Sequence, residues 1–197
     1  MKEIPILFST PMVRAILDGT KTQTRQVIKP QPEYAFGDGR REVYKWKDGL
    51  FSLKFYPDRT IILDYCPYGK PGDILCVRET FTLTQYGKHV YKADCRDKDG
   101  YYWSSVAADI NGVKWRPSIH MPRKAARIFL EVKSVRVERL QDISQEDIYA
   151  EGIQIDCVSS YANRFSFIKL WDTLNAKRGY SWESNPWVWV IEFARVK

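Results

Sequence analysis

Cysteine and histidine are scarce in this 197-residue chain: four of the first and two of the second. Cys66, Cys76, Cys95 and Cys157 are scattered, no pair has C-x-x-C spacing, and His89 and His120 stand far apart. That excludes the usual zinc-ligand patterns, so we expect no metal, no other cofactor, and reduced, mostly buried thiols. No apolar run approaches the ~20 residues of a membrane span. Met1-Lys2-Glu3-Ile4-Pro5 has no apolar stretch behind it, so the expectation is a cytoplasmic protein without a secretory leader or a membrane partner. Internal repeats and low-complexity segments are also lacking, which argues against a solenoid or an array.

Basic charge and aromatic rings are abundant. Lysine and arginine total 31 against 24 acidic residues, a net +7, and 14% of the chain is aromatic. That balance suits a nucleotide or nucleic-acid partner, although many basic proteins merely stay soluble this way. A hydrophobic share of 44% supports a real core, and the length suits one domain over residues 1–197.

The order of elements reads from periodicity and turn residues. Ile4, Ile6 and Phe8 alternate as a strand, and a helix follows over residues 11–18. Thr10 suits its N-cap, Pro11 its first position and Gly19 its stop. Lys29-Pro30-Gln31-Pro32 breaks structure, and Lys47-Asp48-Gly49 is a turn between strand-like runs. Ile74 to Arg78 reads as a buried strand after the turn Pro71-Gly72-Asp73. Residues 82–118 read as an excursion, with a hairpin expected around Asp97-Lys98-Asp99-Gly100. Ile128, Leu130 and Val132 share one parity and Val135 and Val137 the other, which predicts a bulge near Lys133-Ser134. Ser144-Gln145-Glu146-Asp147 is a capping-box pattern opening a helix that Gly152 ends. Phe167, Ile168, Trp171 and Leu174 share a helical face. After Asn185-Pro186, Trp187, Trp189, Ile191 and Phe193 point one way and Val188 and Val190 the other. This predicts an α+β fold with a mostly antiparallel barrel and a few short helices.

The most informative stretch is Gly19-Thr20-Lys21-Thr22-Gln23-Thr24-Arg25. Its cations and hydroxyls at a helix exit suit either an anion grip or a nucleophile–base pair, with a plain solvated loop as the alternative. Together with Leu17-Asp18, with Gly72-Asp73-Ile74-Leu75, with Leu140-Gln141-Asp142-Ile143-Ser144 running on to Ala150-Glu151-Gly152, and with Val190-Ile191-Glu192-Phe193, it resembles the ASCH domain family. These pieces span nearly the whole chain. The resemblance implies a PUA-like β-barrel. It is nearest to larger phage and prophage members, in which Trp115 to Arg123 and Asn185 to Trp189 also have counterparts. Smaller members include bacterial N4-acetylcytidine amidohydrolases, which use a lysine, a threonine and a glutamate. These fall on Lys21, Thr24 and Glu151. The small enzymes are about half as long, so insertions are expected at about 30–70 and 80–118. Their arginine lies two positions past the threonine, whereas Arg25 is adjacent here and Gln26 takes the other place.

The chemistry this implies is acyl transfer. A threonine hydroxyl needs a base, and a lysine serves only if burial or a neighbouring cation lowers its pKa. Glu151 then orients Lys21, positions a water or shuttles a proton. Arg25, Arg78, Glu79, Arg116 and Arg123 are the expected substrate-binding residues. Arg78-Glu79 either lines the pocket, with Glu79 pairing Lys21 or Arg25, or is a structural ion pair. Arg116, His120 and Arg123 beside Trp115 either hold phosphate and stack a base or form an ordered surface loop. The first function expected is hydrolysis of an acylated nucleoside such as N4-acetylcytidine. The alternatives are a noncatalytic RNA- or nucleotide-binding module and a metal-independent nuclease.

Overall fold

The computed structural model describes residues 1–37, 42–47, 49–52, 65–84, 86–95, 114–153 and 160–196. The hairpin expected around 97–100 and Cys157 lie outside them. In chain order the elements are β1 (Glu3–Leu7), α1 (Thr10–Leu17), β2 (Gln23–Val27), β3 (Glu33–Gly37), β4 (Glu42–Trp46), β5 (Gly49–Ser52), β6 (Ile74–Arg78), β7 (Phe81–Leu83), β8 (His89–Tyr91), β9 (Phe129–Arg139), α2 (Gln145–Ala150), α3 (Ser160–Asn175) and β10 (Trp187–Arg195). Among the described residues, no helix is long and apolar enough to cross a membrane.

The central sheet runs β1-β6-β9-β10-β2, and only its β1–β6 pair is parallel. The period-2 pattern of β10 explains its central place. Trp187, Trp189, Ile191 and Phe193 enter one core with Phe8, Val13 and Leu130. Val188 and Val190 enter a second core with Ile148, Phe167 and Trp171 from α2 and α3. A strand buried on both faces must be apolar at both parities, and each such side chain contributes about 1.5–3 kcal/mol. The parity switch in β9 is a bulge. Glu192 pairs with Ser134 and Phe193 with Val132, leaving Lys133 unopposed.

The α+β class is as expected, but no closed barrel forms among the described residues. β1 and β2 are the sheet's two edges, and α1, which connects them, buries Val13 and Ile16 in the first core. The N-cap of α1 is Ser9, not Thr10, and it makes no capping hydrogen bond; the Pro11 ring still occupies the first turn and Gly19, at φ +76°, still ends the run.

The first expected insertion is no mere appendage. β3, β4 and β5 form their own antiparallel sheet, from which Tyr44 and Trp46 enter the first core. Trp46 stands edge-on to Trp189 at 6.3 Å and donates from Nε1 to Pro30 O at 2.8 Å. The second expected insertion holds the β7–β8 hairpin, whose Phe81 packs with Met121 and Ala125 in a small separate cluster.

Helix α2 has six residues and depends on its cap, because so short a helix has little cooperative stability. Ser144 Oγ accepts from Asp147 N at 3.1 Å. Ser144→Ala is therefore expected to cost about 1 kcal/mol in urea unfolding. An unchanged midpoint would show that the cap contributes nothing.

Candidate active site

The site grows from the free edge of β2. Phe193 N donates to Thr22 O and Ile28 N donates to Trp187 O, so residues of that parity bond to β10. Alternation then turns the N–H and C=O groups of Gln23 and Arg25 outward. The side chains divide the other way. Gln23 and Arg25 meet α2, while Thr24 and Gln26, opposite Ile191 and Trp189, share the face of the first core.

Just ahead of β2, Lys21 pairs with Glu151 across 130 residues of sequence. Thr22 N donates to Ala150 O at 2.8 Å, so the C-terminal end of α2 docks on this segment. Lys21 Nζ donates to Glu151 Oε2 at 2.6 Å, Gln23 O at 2.7 Å and Glu151 O at 3.0 Å. The amine is fully buried, and that burial pulls its pKa below the usual lysine range. The Glu151 carboxylate opposes the shift, and the nearby Arg25 charge adds to it.

Arg25 extends the pair into a network. Its Nη1 reaches Gln23 Oε1 at 2.6 Å and Glu151 Oε1 at 3.3 Å, and its Nη2 reaches Asp147 at 2.6 Å and Glu138 at 3.2 Å. Arg136 joins Asp147, Glu138 and Glu192 from the far side. Burial raises the Asp147 carboxyl, but the hydrogen bonds of Gln23 and Arg25 and the charges of Arg25 and Arg136 outweigh it and leave it lowered. Removing one member of such a buried set strands the other's charge, which costs about 3–5 kcal/mol.

A cleft of about 630 Å³ opens against this edge, within the size range of small-ligand sites. Its walls include Phe8, Met12, Thr24, Arg25, Gln26, Tyr68, Glu151, Phe167, Trp171 and Arg178. Thr24 and Glu151 thus share one cleft. No hydrogen bond joins Lys21 to Thr24, since all three donors of the amine go to carbonyl and carboxylate oxygens. Arg25 Nε is buried without a hydrogen-bond partner among the described residues.

The remaining expected binding residues lie outside the cleft. Glu79 is buried and its partner is Arg127, through Nε at 2.9 Å and Nη2 at 3.1 Å, not Lys21 or Arg25. Burial pushes the Glu79 carboxyl up, against the pull of Arg127. Arg127 is held in turn by Asp94 and lies 3.9 Å over Tyr91. Arg78, half-buried on β6, pairs through its backbone with Leu7. Arg116 is exposed, its backbone bridging Phe81, and Arg123 is exposed, paired with Glu3 over the ring of Phe129. The Glu79 and Arg123 side chains are thus spent on ion pairs within the fold, while Arg78 Nε is buried without a hydrogen-bond partner among the described residues.

Sequence reasoning missed Tyr68, Asn175 and Arg178 as cleft residues and Asp147 as the partner of Arg25. Asp147 was visible as the third helical residue of the capping box. Its spare oxygens are what Arg25 uses. Among the described residues, no group of three or more His, Cys, Asp or Glu is placed to hold a metal ion.

No protein-family model matches the chain, and no curated protein does. Among solved structures it is similar to the crystallographic ASCH domain from Lactobacillus crispatus JV V101, with a TM-score of 0.40 and 11% identity. That alignment covers 98% of this chain and 79% of the other. The solved domain carries the name of the family that the segments around Lys21 and Glu151 resemble.

Proposed function

We propose that the chain is a nucleoside-directed amidohydrolase that removes an acyl group from a modified base such as N4-acetylcytidine. The observation that carries this reading is a fully buried lysine tied to a glutamate that lines a cleft together with Thr24. In the proposed cycle the neutral Lys21 amine takes the Thr24 proton as Oγ1 bonds to the acetyl carbon. The C–N4 bond then breaks, the Lys21 ammonium returns the proton to N4, and cytidine leaves. Water then attacks the threonyl ester as Lys21 takes its proton, the ester C–O bond breaks, the Lys21 ammonium returns the proton to Thr24 Oγ1, and acetic acid leaves and ionises. The outward N–H of Arg25, one residue from the nucleophile, is the proposed oxyanion donor. The missing Lys21–Thr24 hydrogen bond must form on substrate binding, as such contacts commonly tighten only in the substrate complex.

A noncatalytic nucleotide-binding module is the second reading. What favours it is that three acceptors saturate Lys21 Nζ, as in a structural clasp.

Incubation with N4-acetylcytidine, followed by chromatography for cytidine, separates the two. Turnover by the parent chain and its loss in Thr24→Ala support the enzyme, whereas binding without turnover supports the module. The pH profile is a further check. Lys21 must be neutral to act, so kcat should rise with pH through an apparent pKa below the 10.5 of an ordinary lysine. Because the Glu151 carboxylate raises that pKa, Glu151→Gln should move the rising limb of its residual activity to lower pH. A limb that stays in place would remove Glu151 as the group that tunes the base.

A further inference from the structure

A second concavity of about 290 Å³ adjoins the cleft, and Gln26, Tyr68, Asn175 and Arg178 line both. Gln26 lies two residues along β2 from Thr24 and on the same face, about 7 Å of strand. Lys29, Lys47 and Arg178 bring three cations to the smaller chamber, and none of its described lining residues is acidic.

Several buried or half-buried cations of the fold are spent on carboxylates. Lys21, Arg25, Arg127 and Arg136 each hold a carboxylate. Lys29, Lys47 and Arg178 have no carboxylate within salt-bridge distance among the described residues. Instead Lys47 Nζ lies 4.3 Å over the ring of Trp46 and 5.6 Å over Tyr65, and Lys29 Nζ lies 5.3 Å over Tyr180. Aromatic faces hold an ammonium in place without neutralising it. The chamber therefore gathers three exposed cations whose charge no ion pair neutralises, which suits a phosphate group.

We propose that this chamber is a phosphate subsite. Lys29, Lys47 and Arg178 hold the phosphate of a nucleotide whose modified base occupies the adjoining cleft, so the substrate class is a nucleotide rather than a free nucleoside. The proposal rests on reading the cleft as a base pocket. The phosphate is either the monoester of a free nucleotide or the diester of an RNA strand.

The test is direct titration of the full chain with cytidine, cytidine 5′-monophosphate and a short cytidine-containing oligoribonucleotide. Quenching of tryptophan fluorescence is the readout, since Trp46 and Trp189 line the chamber. The monophosphate should bind about tenfold or more tightly than cytidine, with an advantage that shrinks as salt rises. In the triple variant Lys29→Gln/Lys47→Gln/Arg178→Gln the ratio of the two affinities should fall towards one. A clearly tighter oligonucleotide, weakened by the same triple variant, identifies the diester as the source. Equal binding of cytidine and its monophosphate by the parent overturns the subsite while leaving the base pocket standing. A ratio that survives in the triple variant, with the circular dichroism spectrum unchanged, overturns the assignment of these cations. Binding of none of the three ligands overturns subsite and pocket together.

Discussion

Lys21→Met is expected to abolish the proposed deacylation and to destabilise the fold, and the two losses are separable. Removing a general base costs about 10²–10⁴ in rate. The stability loss has a different origin. Glu151 would keep its buried carboxylate but lose the donor at 2.6 Å, retaining only the longer contact from Arg25 at 3.3 Å. A buried charge stripped of its main partner costs about 3–5 kcal/mol. In the double variant Lys21→Met/Glu151→Leu an apolar pair replaces the ion pair, and such exchanges are often close to neutral. Arg25 still has Asp147 and Glu138. Urea unfolding should therefore show the double variant more stable than Lys21→Met, while turnover stays lost in both. Turnover near the parent level in Lys21→Met would exclude the lysine as base. The pH dependence of stability gives a second signature. The folded pKa of Lys21 lies below its unfolded value, so the unfolded chain binds the extra proton between the two. Stability contributed by this residue accordingly rises with pH as 10.5 is approached, and that rise should be missing in Lys21→Met.

The sequence carried some of this plainly and some not at all, and the division follows the range of the interactions. The two faces of β10 and the bulge at Lys133 are written in the parity of apolar residues, because each residue's face is fixed by its neighbours in the chain. The Ser144 cap is equally local. The expected barrel fails because closure depends on how far apart α1 holds β1 and β2, which no local pattern encodes. The cap of α1 slipped by one residue because Ser9 and Thr10 are both good capping residues and only the chain direction before Pro11 distinguishes them. Arg25 and Glu79 are a harder case. Both read as polar groups available to a substrate, yet Arg25 serves Gln23, Asp147, Glu138 and Glu151, and Glu79 serves Arg127. A residue type states what an ion can bind, not which of several opposite charges the fold brings to it. Lys29, Lys47 and Arg178 went unnoticed for the converse reason. They come from a strand exit, a hairpin turn and a helix end, and only folding gathers them.

The strongest effect expected of a small change outside the proposed catalytic trio is that of Gly152→Ala. Gly152 follows Glu151 at φ +84°, and its N–H caps α2 by donating to Tyr149 O at 2.8 Å. A Cβ there would stand 2.7 Å from Ala15 Cβ and 2.9 Å from Lys21 Cβ. Those atoms belong to α1 and to the segment entering β2, so no flexible side-chain end can swing aside. The left-handed backbone costs about 1–2 kcal/mol for an L-residue, and overpacking adds about 1–3 kcal/mol. Gly19 provides the control. It has a similar φ of +76°, but an added Cβ would meet nothing within 4 Å, so Gly19→Ala should show the backbone cost alone. Urea unfolding should therefore place Gly152→Ala below Gly19→Ala by about 1–3 kcal/mol. Turnover should separate them further. The added methyl pushes directly on Lys21, and a displacement of about 1 Å in a positioned group costs on the order of 10²-fold in rate. Equal stability and equal turnover in the two alanine variants would mean that the contact of Gly152 with Lys21 does not hold the amine against Glu151.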